Sequence, residues 1–137
     1  MKMKRAAALM YAIITTGVIV FQVALAAGAH WGEFAMGGAL PGQFPPALRI
    51  AAHVQAVLLA GTAVVVLARA GLILPNWSRV SRRLVCFVVA FAVLSFVLNL
   101  ITPSAGERAL WVPIAFLLLM SSGIVAFRTS SDRPSGD

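Results

Sequence analysis

The sequence predicts an all-α integral membrane protein, a four-transmembrane-helix up-down bundle with both termini cytoplasmic. Three observations lead there. Of 137 residues, 61% are hydrophobic and only 11% charged, whereas soluble domains hold about 45–50% apolar and about 25% charged residues. The apolar residues gather into four runs, each near the ~20 residues that ~30 Å of hydrocarbon requires. The Lys and Arg residues are shared unevenly among the segments that join these runs. A mean hydropathy of +0.94 leaves too little polar surface to cover a soluble core. That excludes an ordinary cytosolic enzyme and a disordered chain. A lone cysteine, Cys86, excludes a disulfide-stapled module and a paired-thiol redox site.

The first run covers residues 6–29, the second 47–68, the third 84–101 and the fourth 109–127. None holds Asp, Glu or Lys, and Arg49 and Arg69 stand at the ends of the second, where long side chains snorkel to the interface. Hydrocarbon offers the backbone no hydrogen bonds, so each run must be helical. The Val64-Val65-Val66 run does not argue for a strand in that solvent. The first run resembles a signal peptide, with Lys2, Lys4 and Arg5 ahead of it and Ala24-Leu25-Ala26 near its end. Its apolar stretch exceeds the usual 7–15 residues, which favours an uncleaved anchor.

Orientation follows from the basic residues. Lys2, Lys4, Arg5, Arg69, Arg79, Arg82, Arg83, Arg128 and Arg133 fall on one side, nine in all, and only Arg49 and Arg108 on the other. Positive residues are retained in the cytoplasm, which places both termini and the middle loop inside and the first and third loops outside. The same assignment absorbs most of the net charge of +7, so no nucleic-acid partner is needed to explain it. Residues 1–128 thus form a transmembrane domain, and the polar residues 129–137 form a disordered cytoplasmic tail. Trp31, Trp77 and Trp111 fall near span ends, at headgroup level.

Lipid supplies no hydrophobic drive for helix association, so small residues must let the helices approach. Candidate contacts are Ala52, Ala56, Ala60 and Gly61 in the second span, Ala24 and Gly28 in the first, and Ser122 and Ala126 in the fourth.

Polar groups inside spans are costly and mark function. Gln22, His53, Gln55 and Asn99 fall in the outer half, and the outer loops add His30, Glu33, Arg49, Glu107 and Arg108. The candidate ligand-binding residues are therefore Gln22, His30, Glu33, Arg49, His53, Asn99, Glu107 and Arg108. A consistent arrangement turns Gln22, His53 and Asn99 inward together, while Gln55 points elsewhere. These groups either lock the bundle by bonding one another or hold a ligand. The first outer loop, residues 30–46, is long and apolar, with turn signals at Gly37-Gly38, Pro41-Gly42 and Pro45-Pro46. It is expected to fold back over the bundle as a lid or to lie in the interface. In the short third loop Ser104 or Thr102 caps the fourth helix, with Glu107 near its positive end. Glu33 and Glu107 are expected to pair with Arg49 and Arg108 across the loops.

Residues 30–38, the stretch Gly42-Gln43-Phe44-Pro45-Pro46-Ala47-Leu48-Arg49, the stretch Leu98-Asn99-Leu100-Ile101-Thr102-Pro103-Ser104, and Glu107-Arg108 with Trp111-Val112-Pro113 resemble a group of small four-span bacterial integral membrane proteins. The resemblance covers nearly the whole chain. It implies the four-span fold and a bacterial inner membrane, and it carries over no catalytic residues.

Specific chemistries find little support. His30, Glu33 and His53 could hold zinc, and two histidines could ligate haem, but no second histidine pair exists. Small multidrug carriers need a carboxylate in the first span, which is absent here. No polar motif matches a fluoride channel. Hydrolysis needs a nucleophile beside a base, and Cys86 is far from both histidines. No catalytic residue, metal or cofactor is assigned. Two readings remain: a protein that binds or transports a lipid or small amphiphile at an extracytoplasmic pocket, and a structural or accessory subunit packed against a membrane-protein partner or a second copy. The first requires a cavity beneath the first outer loop lined by Gln22, His53 and Asn99, and the second requires none.

Overall fold

The computed structural model describes residues 2–128. The expected tail, residues 129–137, lies outside them. Four long α-helices dominate: α1, Lys2–Ala27; α2, Pro46–Arg69; α3, Ser78–Ile101; and α4, Ala105–Phe127. All four are long and apolar enough to cross a membrane. Exposed Ile13, Val20, Val57, Leu58, Phe87 and Ile101 form the kind of surface that lipid covers.

Each helix end has a local cause. At the end of α1 the Gly28 N–H donates to Leu25 O and the Ala29 N–H to Ala24 O. That Schellman arrangement needs the left-handed φ of +101° at Gly28. The end of α2 repeats it, with Gly71 N–H to Ala68 O and Leu72 N–H to Leu67 O. Pro46 opens α2 at its first turn, where a missing N–H costs nothing. At the start of α4, Ser104 Oγ accepts the Glu107 N–H at 3.2 Å. Between the two expected caps, the structure thus selects Ser104.

The third run gains most from its flanks. The apolar run begins at residue 84, but α3 begins at Ser78 after a 3-10 turn over Pro75–Trp77. Arg79, Arg82 and Arg83 therefore belong to the helix, which extends beyond the apolar run.

Two apolar clusters lie at opposite ends of the bundle. One joins Ala7, Ala8 and Tyr11 of α1 to Val66, Val85, Val88 and Val125. Tyr11 donates to Thr62 Oγ1 at 3.0 Å, and Thr62 donates to Leu59 O at 2.7 Å, so its phenol crosses from α1 to α2 without an unsatisfied hydroxyl. Arg128 contacts Met3 Sδ, which brings the end of α4 beside the start of α1. The second cluster joins Leu25, Phe44 and Ala52 at the end of α1 and the start of α2. Of the small-residue face expected on α2, Ala52 and Ala56 are buried while Ala60 and Gly61 are exposed. A space remains between the two clusters.

Candidate cavity beneath the first interhelical segment

Residues 28–45 cross the end of the bundle as a strap held by polar bonds at both ends and in the middle. Gln43 Nε2 donates to Gly28 O at 2.7 Å. Arg49 Nε, one turn into α2, donates to Ala26 O at 2.7 Å. Trp111 Nε1 of α4 donates to Phe34 O at 2.6 Å, and Ser104 Oγ reaches Glu33 O at 3.4 Å. Within the strap the Gly32 N–H donates to Gly42 O at 3.0 Å. A side chain on Gly32 would stand 2.0 Å from Leu40 O, so this close approach requires glycine. The segment folds back over the end of the bundle: Phe44 is buried and Phe34 half-buried, while Met36 and Leu40 stay exposed.

Beneath the strap lies a cavity of about 680 Å³. Phe34, Met36 and Phe44 of the strap, Thr102 and Pro103 of the α3–α4 connection, and Glu107 in the first turn of α4 line its upper part. Phe21, Leu59, Ala92, Ala115 and Leu118 are among the apolar walls, and Tyr11 closes the far end. Phe21 meets Trp111 edge-to-face at 4.7 Å and stacks with Trp31 at 5.9 Å. The walls are mainly hydrocarbon and aromatic, with a few polar groups among them: the amides of Gln22, Gln55 and Asn99, the hydroxyls of Ser95 and Thr102, and the Glu107 carboxylate. This combination suits an amphiphilic small molecule.

The structure divides the candidate residues. Gln22, Asn99 and Glu107 line the cavity. Asn99 is tied to its own helix by Nδ2 to Ser95 O at 2.7 Å, which leaves its carbonyl oxygen available. His53 does not line the cavity and is exposed on α2. The expected inward cluster of Gln22, His53 and Asn99 therefore does not form, and Gln55 takes the inward place. The reason is phase. Ala52, Ala56 and Leu59 are the buried stripe of α2; Gln55 is three residues past Ala52 and four before Leu59, on the same face. His53 is one residue past Ala52, about 100° around the helix. That stripe was the signal in the sequence, and following the small residues would have chosen Gln55.

The loop residues also depart from expectation. His30, Glu33 and Arg108 are exposed and outside the cavity lining. The cross-loop ion pairs are replaced by other bonds. Arg49 binds the Ala26 carbonyl, and the buried Glu107 accepts from Thr102 Oγ1 through Oε2 at 3.0 Å. The role of Trp111 as a pin for the strap was hidden in the sequence, where an indole near a span end reads as an interfacial anchor. Among the described residues no group of three or more His, Cys, Asp or Glu side chains converges to hold a metal.

Comparisons of the chain with known protein families, with characterised proteins and with solved structures find no match.

Proposed function

We propose that the protein is a multi-pass protein of the bacterial inner membrane that binds, and in binding carries, a lipid or small amphiphile in the cavity beneath its extracytoplasmic strap. In this reading the four helices run up and down, with both termini and the Pro75–Trp77 turn cytoplasmic. The nine-to-two division of Lys and Arg supports that orientation, and the resemblance to small four-span bacterial membrane proteins supports the membrane. One observation carries the binding reading: a cavity of about 680 Å³ with apolar walls, whose amides and single carboxylate come from four helices under a fastened lid. The cavity opens outward at the exposed Met36, Leu98 and Ile101, which gives a ligand a way in, and apolar walls left unfilled forfeit dispersion contacts. An apolar tail restores those contacts, and a polar head answers Gln22, Gln55 and Asn99.

Native mass spectrometry on protein gently extracted from its own membrane tests this. The expected result is a reproducible small-molecule adduct that Ser95→Phe abolishes, because the new ring enters the cavity from its α3 wall. A bare chain in both proteins overturns the reading. A stoichiometric second protein with no small-molecule adduct replaces it with the accessory-subunit reading.

A further inference from the structure

The cavity lining is unequal in charge. It holds one carboxylate, Glu107, and no Lys, Arg or His. His30 of the strap is exposed and outside the lining, Arg49 is engaged with the Ala26 carbonyl, and Arg108 is exposed. Glu107 is only 9% exposed. Its carboxylate accepts one hydrogen bond, from the Thr102 hydroxyl, although an ionised carboxylate offers about four acceptor sites.

The sequence Ser104-Ala105-Gly106-Glu107 has the form of a capping box, in which the glutamate would return to the N-cap backbone N–H. Here only half of the box is made. Ser104 Oγ accepts the Glu107 N–H, while the Glu107 side chain turns to Thr102 and the cavity instead. The positive end of α4 favours the anion but satisfies none of its remaining acceptor sites. Among the described residues the enclosed side-chain atoms without a partner are Thr15 Oγ1 and Arg69 Nε, so the free Glu107 oxygen stays accessible, and a cation entering the cavity would pair with it.

The surrounding rings fit the same ligand. Trp111 is one turn beyond Glu107 on the same face of α4. Phe21 packs against Trp111 at 4.7 Å. The Phe34 ring lies over Gly106, within 3.4 Å of where a side chain there would begin. All three aromatic residues line the cavity with Glu107, and aromatic faces attract ammonium groups.

We propose that the ligand is a cationic amphiphile, an alkyl amine or quaternary ammonium whose charge rests between the Glu107 carboxylate and the rings of Phe21, Phe34 and Trp111, with its tail toward Leu118 and Tyr11. This rests on the reading of the cavity as an amphiphile site and names the headgroup that site selects. An anionic head, such as a fatty acid's, would meet a like charge and no counter-charge.

The test uses the full chain in phosphatidylcholine nanodiscs at neutral pH and three probes of one chain length: octylammonium, 1-octanol and octanoate. Calorimetric titrations are corrected with empty nanodiscs. Octylammonium is expected to bind saturably and about tenfold more tightly than octanol, and octanoate more weakly than either. Glu107→Gln keeps an acceptor for Thr102 and should bring octylammonium to the affinity of octanol, with octanol unchanged. Equal affinities for the three probes in the wild type, or a cation preference that survives Glu107→Gln, would overturn the headgroup assignment while leaving the amphiphile site standing. Saturable binding of none of them would remove the amphiphile site itself. If Glu107→Gln fails to fold, the ranking of the three probes on the wild-type protein decides.

Discussion

Gly32→Ala tests whether the strap is a built lid. The Gly32 N–H donates to Gly42 O at 3.0 Å, and an added Cβ would stand 2.0 Å from Leu40 O and 2.8 Å from Gly42 O. Both obstacles are backbone, so no side-chain rotation relieves them. A Cβ keeps at least 3.0 Å from such atoms, so the Leu40 carbonyl must withdraw by about 1 Å, and the Gly32–Gly42 bond goes with it. Overpacking of this kind costs about 1–3 kcal/mol, and the lost hydrogen bond about 0.5–1.5 kcal/mol. The closed strap should lose about 2–4 kcal/mol, which raises the open population by about thirtyfold or more. Hydrogen exchange in nanodiscs reads this directly at the amides of Gly32, Ala35 and Gly38, which bond within the strap. Gly17→Ala is the control: it lies in α1 with nothing beyond its own turn of helix within 4 Å of the new carbon, and strap exchange should not change. Unaltered strap exchange in Gly32→Ala, from a folded protein, would refute the close crossing of residues 32, 40 and 42.

Three further outcomes follow from the same geometry. Trp111→Phe keeps a ring against Phe21 but removes the donor to Phe34 O; it should destabilise the strap by about 1–2 kcal/mol, seen as faster exchange at Phe34 and Ala35 while amides of α3 are unaffected. Tyr11→Phe removes the α1–α2 bond to Thr62. Interhelical bonds in membranes average about 0.6 kcal/mol, so thermal unfolding should fall by only a degree or two, and a large loss would contradict the assignment of Tyr11 to a simple crossing bond. Sidedness is checked in a Cys86→Ser background with an impermeant maleimide on intact cells. Ala39→Cys, in the exposed strap, should label from outside, and Asn76→Cys, in the exposed turn before α3, should label only after the cells are opened; the reverse pattern would invert the proposed topology.

The existence and order of the helices were legible because hydrocarbon leaves the backbone few choices, so a long apolar run is almost an instruction. Their ends were less legible where polar residues continue a helix beyond the apolar run. Arg79, Arg82 and Arg83 do this in α3, and Lys2 to Arg5 do it in α1. The strap's position was legible in part: of Phe34, Met36, Leu40 and Phe44, all apolar enough to ask for burial, Phe44 and Phe34 turn in while Met36 and Leu40 stay exposed, and the paired glycine and proline signals leave only two short 3-10 turns. Its fastening was not, because the bonds run to backbone carbonyls of Gly28, Ala26 and Phe34, and any residue carries a carbonyl. For the same reason the expected ion pairs misdirected: opposite charges on one side of a membrane suggest partners, yet Arg49 and Glu107 each found a nearer neutral one. His53 shows a different difficulty. Rarity drew attention to it, but rotational phase decides whether a side chain faces protein or lipid, and the phase of α2 was written in Ala52, Ala56 and Leu59.

The central claim is that a small amphiphile occupies the cavity. Fluorescence from a protein in which Trp31 and Trp77 are changed to Phe reports on Trp111 alone, and Trp111 lines the cavity. Titration of this protein in nanodiscs with a terminally brominated octylammonium should quench Trp111 saturably, and Ser95→Phe should reduce the quenching to the shallow, linear rise of probe dissolving in the bilayer. Linear quenching of equal slope in both proteins would show that Trp111 senses only lipid, and would contradict the claim.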